Sequence, residues 1–488
     1  MTHSLRRVAL VMFALFAALF VNLNYLQVLR ADDLADDNRN TRTLIKEYAL
    51  RRGSILVGRG DAQTEIARSV ETEGRYKYER RYPDGELYAH ITGFYSVVFG
   101  RAGLEESAND VLVGGAPEEF ARNVGDFLSG RERQGDDVAL TIAPAVQEAA
   151  REALGERVGA VVAIEPETGA LLAVYANPSY DPNELSTFEQ EAATQYWERT
   201  EDDRRNRALR ELYPPGSTFK LITGAAALED GMSPDRSFPD PPSYTPPQTT
   251  RPIANFGGGL CNGGASLSLT QAMAVSCNTV FARLGNLVGP EELVAQAARF
   301  GVNQRWDSQV AYAPSSIPEE LDAPATAQSA IGQRDVRVTP LQMAMIAAAI
   351  GNDGVLMRPH IIARVQDFNG RVIREVSPQP LQFADAEGGA AVSPSVAADL
   401  QAMMQGVVTG GSGTAAAIPG VDVAGKTGTA QVAEGTNPTV WFVGFAPADN
   451  PTVAVAVVLP DGGDVGAEAT GGAVAAPIAR QVMEAALR

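Results

Sequence analysis

Among residues that do chemistry, this 488-residue chain is short of histidine and lysine. Its histidines are His3, His90 and His360. A Ser-His-Asp device in the C-terminal two-thirds would have to use His360, in the loop-like Arg358-Pro359-His360. A zinc site would lack ligands. Lys46, Lys77, Lys220 and Lys426 are the only lysines, in a chain with 40 lysines and arginines together. Arginine cannot give up its proton at working pH, whereas a desolvated lysine can. Each surviving lysine therefore raises the question of what arginine could not do there. Cysteine is scarcer still: Cys261 and Cys277 make neither a disulfide framework nor a Cys-x-x-Cys metal signature. The net charge of −19 argues against a nucleic-acid backbone as partner. No metal and no cofactor are called for.

An apolar fraction of 45% and the length leave room for two to four domains with large cores. His3, Arg6 and Arg7 precede an apolar run, Val8–Val21, that continues through Asn22, Asn24 and Gln27 to Val28. About 21 helical residues reach roughly 30 Å, enough to span a bilayer. No small-x-small cleavage site follows, so the segment reads as an uncleaved signal anchor. Basic residues precede the span, and Asp32, Asp33, Asp36 and Asp37 follow it. The positive-inside rule puts residues 1–7 in the cytoplasm, a membrane helix over 8–28 and the rest outside. There the two cysteines can oxidise, either as a pair or left as two buried thiols.

Residues 31–136 read as a small, irregular, mostly-β pedestal or interaction domain. Its short apolar runs include Gly53–Val57 and Leu87–Ser96, and Gly125–Asp137 reads as its exit linker. Residues 137–488 read as the main domain. A strand over Asp137–Ile142, a helix over Pro144–Leu154 and a hairpin turning at Glu165–Gly169 open it. Helices follow, with Thr339-Pro340 and Ser393-Pro394 as matching helix starts. The strands Thr439–Phe445 and Thr452–Leu459 and a last helix, about Gly472–Leu487, close it. Strands, then helices, then strands predict an α+β fold: a helical subdomain against an antiparallel sheet drawn from both ends of the domain.

Three short stretches carry chemistry. In Pro214-Pro215-Gly216-Ser217-Thr218-Phe219-Lys220, Ser217 opens a helix and Lys220 lies one turn on, on the same face. A buried Lys220 would be a base for the Ser217 hydroxyl; taken alone, the pair reads first as a helix cap and a surface lysine. Ser276-Cys277-Asn278 breaks a helical region, so a hydroxyl and an amide two residues apart point one way. In Lys426-Thr427-Gly428-Thr429, the glycine lets another backbone approach an edge strand. The lysine and threonines can hold a carboxylate, and the edge amides can pair with a peptide.

Ser-x-x-Lys, Ser-x-Asn and Lys-Thr-Gly in this order are the signature set of penicillin-binding proteins and serine β-lactamases. Further stretches resemble class B penicillin-binding proteins. They are Arg52-Gly53-Ser54-Ile55, Arg81-Tyr82-Pro83, Ala89–Gly93, Gly103-Leu104-Glu105, Gly332-Gln333, Thr339–Gln342 and Trp441–Gly444. The modest N-terminal module and the preference for arginine resemble the PbpA type of actinobacteria. Arg334 departs from the pattern, since the family often has glycine there. The resemblance implies the penicillin-binding-protein transpeptidase fold, similar to serine β-lactamases, and a D,D-transpeptidase that cross-links peptidoglycan. It implies Ser217 as nucleophile, Lys220 as base, Ser276 and Lys426 as proton relay, and Asn278 as orienting amide. Thr427, Gly428 and Thr429 would hold the substrate, and the backbone amides of Ser217 and Thr429 would form the oxyanion hole. It implies stem peptides of lipid II-derived strands as substrates and β-lactams as acylating mimics. Its implied partners are the membrane and a SEDS-type (RodA/FtsW-like) glycosyltransferase.

Other readings share the motifs. A class A β-lactamase needs a glutamate with an asparagine four residues later. None of Glu291, Glu292, Glu319, Glu320, Glu375 and Glu387 has one. A D,D-carboxypeptidase differs in acceptor rather than motif, and a non-catalytic scaffold or β-lactam sensor would keep the fold, although intact Ser217 and Lys220 argue against a dead scaffold.

Overall fold

The computed structural model describes residues 2–26, 45, 47–58, 62–115, 134–383, 389–431 and 435–488. Asp32, Asp33, Asp36, Asp37, Lys46 and most of the expected linker lie outside them. The chain divides into two compact units, Met1–Arg51 with Ser69–Glu79, and Arg52–Arg68 with Arg80–Arg488.

The first unit carries α1 (Thr2–Asn24). Its Leu, Val and Phe side chains are exposed along its length, as an apolar helix without a protein partner leaves them. Among the described residues it is the one helix long and apolar enough to cross a membrane. In the same unit the Tyr78 amide donates to the Tyr48 carbonyl at 3.0 Å, and the Thr72 amide to that of Lys77 at 2.8 Å.

In the second unit the strands are β1 (Ile55–Val57), β2 (Thr64–Glu71, entering from Thr64), β3 (Asp137–Leu140), β4 (Gly159–Ile164) and β5 (Leu171–Asn177). They continue as β6 (Ile362–Gln366), β7 (Val372–Glu375), β8 (Ala424–Ala430), β9 (Thr439–Ala446) and β10 (Val453–Leu459). One mixed sheet contains, in order, β7-β6-β3-β1-β2. Val138 lies between Ile55 on a parallel neighbour and Val365 on an antiparallel one. The excursion 362–375 thus joins a sheet begun three hundred residues earlier, which no local pattern announces. Much of the run Leu87–Ser96 is helix, Gly85–Thr92, rather than strand.

Beside this sheet lies a buried ion cluster. Arg52 Nε donates to Glu105 Oε2 at 3.1 Å, and Arg80 Nε to Glu105 Oε1 at 2.6 Å. Arg52 also donates to the Asn109 carboxamide, and Arg80 to the Gly53 carbonyl. Burial opposes both charges, but the arginines outweigh it and hold the Glu105 carboxyl below its ordinary range. Gly53 is glycine because a Cβ would stand 1.9 Å from the Asp136 carbonyl oxygen.

The second sheet is antiparallel throughout, in the order β8-β9-β10-β4-β5, so strands from both ends of the domain meet in it. Every residue of β9 and β10 is buried, because both faces are covered. On one face Val161, Val455 and Phe442 pack with the helices Pro144–Leu154 and Ala476–Ala486. On the other, Val162 and Ala456 join the helical subdomain, including the helix Pro340–Gly351. That helix starts as expected: the Thr339 hydroxyl accepts from the Gln342 amide and Pro340 fills the first turn. Ser393 does not repeat the device; its hydroxyl faces that of Ser395 at 3.3 Å instead. Strand β8 is an edge strand of this sheet by pairing, yet all of it but Thr429 is buried.

Candidate active site

Ser217 sits in a tight 3-10 turn, Gly216–Phe219, that runs into the helix Lys220–Glu229. The helix therefore begins one turn later than the sequence suggests, and the serine lies in its approach. Gly216 adopts φ +52, and a Cβ there would lie 2.9 Å from the Thr429 carbonyl oxygen. The turn is tied down from two sides. The Gly216 amide donates to the Gly332 carbonyl at 2.9 Å, and Trp441 Nε1 to that of Pro214 at 3.0 Å. Ser217 itself stays half-exposed while Thr218, Phe219 and Lys220 are buried.

Gly428 explains itself here. A Cβ on it would meet the Pro215 carbonyl oxygen at 2.8 Å and Thr218 Cγ2 at 2.9 Å. The backbone that approaches this edge glycine is the chain's own Pro215–Thr218 segment, which brings the first and third motifs together.

Ser276 adopts φ +59, a left-handed conformation that a side chain disfavours. The sequence reading placed Ser276 and Asn278 in an extended break. Instead Ser276 turns back, and Asn278 begins the helix Asn278–Val288. Both still reach one point. Lys220 Nζ donates to the Ser276 carbonyl at 2.7 Å and to Asn278 Oδ1 at 2.7 Å, and lies 3.2 Å from Ser276 Oγ. Lys426 Nζ lies 2.8 Å from the same hydroxyl and donates to the Thr427 carbonyl at 2.9 Å. Ser276 Oγ is thus suspended between two lysine amines. Ser217 Oγ makes no hydrogen bond among the described residues, and Lys220 is drawn toward Ser276 and Asn278 rather than toward it.

Both lysines are fully buried, and no carboxylate pairs with either among the described residues. Burial first, and then the charge of Lys426, pushes the Lys220 amine well below its ordinary value. Burial alone pushes Lys426 down to about 7. Two acceptor-only partners occupy two N–H groups of a neutral Lys220, leaving its lone pair free for a hydroxyl proton.

Thr427 Oγ1 hydrogen-bonds the Ser412 hydroxyl at 2.6 Å, and Thr429 Oγ1 accepts from the Gly471 amide at 3.4 Å. Sequence reasoning missed Ser412, because nothing near it distinguishes one serine in a glycine-rich loop. It also missed Asn255, whose side-chain oxygen accepts from the Thr279 amide at 3.0 Å. Ala254 accepts from Asn278 Nδ2 at 3.2 Å. Cys261 and Cys277 are joined in a disulfide, their Cα atoms 5.7 Å apart, which resolves the two alternatives open from spacing. Residues 253–279 are thereby clamped to the second motif.

A cavity of about 520 Å³ adjoins the second and third motifs, lined by Asn278 and Thr429 together with Asn255, Gln333, Arg334 and Gln431 among others.

Residues 159–484 match the penicillin binding protein transpeptidase domain, and residues 52–138 the penicillin binding protein A dimerisation domain. The chain is similar to the peptidoglycan D,D-transpeptidase PbpA of Mycolicibacterium smegmatis. The identity is 43%, covering all of this chain and 99% of that protein. The protein of the same name in Mycobacterium tuberculosis is 40% identical, with the same coverage. Among solved structures it resembles penicillin-binding protein A from M. tuberculosis in its ceftriaxone acyl-enzyme complex. There the TM-score is 0.86 at 39% identity, covering 91% of this chain and all of that one. Three converging motifs, two buried unpaired lysines and a match across the whole length lead to one statement: this chain belongs to the penicillin-binding protein transpeptidase family.

Proposed function

We propose that the chain is a peptidoglycan D,D-transpeptidase that works through a Ser217 acyl-enzyme. The observation that carries this is the Ser276 hydroxyl held between Lys220 and Lys426. Lys220, neutral through burial, takes the Ser217 proton as Oγ attacks the carbonyl of the penultimate D-Ala of a stem peptide. The tetrahedral oxyanion forms between the backbone amides of Ser217 and Thr429, preorganised donors that contribute a few kcal/mol. The close approach of Gly216 to the Thr429 carbonyl and of Gly428 to Pro215 supports that pairing of amides. The C–N bond breaks as the proton passes from Lys220 through Ser276 Oγ to the leaving amine, with Lys426 steadying the relay. Terminal D-Ala departs, and the amine of a neighbouring stem peptide attacks the ester, releasing Ser217 with a new cross-link. Thr427 and Thr429 hold the donor's terminal carboxylate, Gly428 keeps that strand against the nucleophile loop, and Asn278 fixes Lys220 and the donor amide. β-Lactams present the same carbonyl in a ring and acylate Ser217.

Residues 8–28 anchor the chain in the cell membrane with residues 1–7 in the cytoplasm. The supports are the apolar α1 and the basic residues before it. Residues 31–136 are the pedestal and 137–488 the catalytic domain, both outside the cell. The partner is a SEDS-type glycosyltransferase, which would supply glycan strands where this chain cross-links them. A fluorescent penicillin tests the reading: the wild type forms a covalent adduct and Ser217→Ala forms none. An unlabelled wild type would sink it.

A further inference from the structure

Among the described residues Arg334 is the one charged side chain lining the 520 Å³ cavity beside the second and third motifs, whose polar wall is otherwise mostly amides such as Asn278, Gln328, Gln333 and Gln431. It stands at φ +63, where the backbone favours glycine and a long side chain is strained. Its position relative to Ser217 is set by its own segment. Two residues earlier, the Gly332 carbonyl accepts from the Gly216 amide, and a Cβ on Gly332 would lie 2.0 Å from the Gly216 oxygen. Four residues later, Val338 and Tyr213 exchange two backbone hydrogen bonds of 2.9 Å. Arg337 Nη1 donates to the Arg334 carbonyl at 2.7 Å. The guanidinium itself is loosely engaged. It lies 3.3 Å from Asp335 and 3.7 Å from Asp322, both largely exposed, and makes no hydrogen bond among the described residues. A tethered backbone in a strained conformation thus carries a guanidinium, held only by two loose ion pairs with exposed aspartates, beside an acylation site.

We infer that Arg334 is a specificity-determining residue that binds a carboxylate on the acyl donor, on the residue just before the two D-alanines. The inference rests on the D,D-transpeptidase reading. A guanidinium matches a carboxylate bidentately, and an amide-lined wall suits the peptide backbone leading to it. This carboxylate is distinct from the terminal one assigned to Thr427 and Thr429. It belongs to the part of the donor that stays attached to Ser217.

Benzylpenicillin and carbenicillin differ by one carboxylate on the acyl side chain, and their second-order acylation rates give the test on the purified full-length chain. The ratio of carbenicillin to benzylpenicillin rates falls about tenfold in Arg334→Gln, the size of one charge-assisted contact. Arg334→Lys keeps part of it. Raising the salt concentration lowers the ratio in the wild type and leaves it unchanged in Arg334→Gln. Arg334→Gly relieves the left-handed strain, so it folds at least as well and must show the same fall. An unchanged ratio in Arg334→Gln and Arg334→Gly overturns the inference while leaving the transpeptidase reading standing. A wild type acylated by neither drug overturns both.

Discussion

Arg52 and Arg80 are buried on Glu105, whereas Lys220 and Lys426 are buried facing carbonyls, a carboxamide and one hydroxyl. The first cluster keeps its charges, because each oxygen of Glu105 meets a guanidinium and its pull outweighs desolvation. The second gives up charge, because desolvation is not offset and the two lysines repel. The residue types follow that division. Arginine, which holds its proton, serves where ions hold the backbone together. Lysine, which can release one, stands in the second cluster, where the three motifs meet. Burial of a cation is therefore not one phenomenon in this protein; the counter-ion decides whether it makes structure or reactivity.

Breaking the lysine side has the largest expected effect. Lys220→Arg keeps the fold but cannot release a proton, so acylation by a fluorescent penicillin falls by about 10³-fold or more. Normal labelling with an intact circular dichroism spectrum would disprove the base assignment. Glu105→Gln breaks the other side. It strands two buried guanidinium groups, lowering stability by about 3–5 kcal/mol in denaturant titrations. The acylation rate per folded molecule stays as it was. If the rate falls with the stability, the two sites are not independent.

Two smaller effects sharpen the contrast through pH. The acylation rate rises as Lys220 loses its proton and falls as Lys426 loses its own near pH 7. In Lys426→Arg the alkaline fall moves up by more than one unit, and a stopped-flow pH profile measures it. The last effect is on stability. With a folded-state value near 7 and an unfolded one near 10.4, Lys426 binds more proton in the unfolded chain between those limits. Stability therefore increases as pH rises from about 7 to 10, and Lys426→Met flattens that slope. Glu105→Gln leaves it in place.

Much of the site was legible because its chemistry is written in short segments. Ser217 and Lys220 are three residues apart, Ser276 and Asn278 two, and Lys426 to Thr429 are contiguous, so local geometry alone groups each set. The hairpin at Glu165–Gly169 and the Thr339 cap were legible for the same reason. What was not legible depends on distant partners. Ser393 resembles Thr339 in sequence, yet its hydroxyl faces Ser395 rather than a helix amide. The use of Gly428 is visible only once Pro215 lies against it, and Arg334 shows its place only once Gly332 is bonded to Gly216.

The sequence by itself determined which residues could react, and the order in which they occur. It also set the apolar N-terminal helix and the assembly of one sheet from both ends of the domain. These follow from side-chain chemistry and periodicity, which act over a few residues. Only the tertiary structure decided that the lysines are dry and unpaired, that Ser276 turns back to meet both, and that Cys261 and Cys277 are joined. It alone brought Arg52, Arg80 and Glu105 into one cluster. Desolvation and ion pairing are properties of a place in space, and segments 25 to 150 residues apart make such a place only when the chain packs.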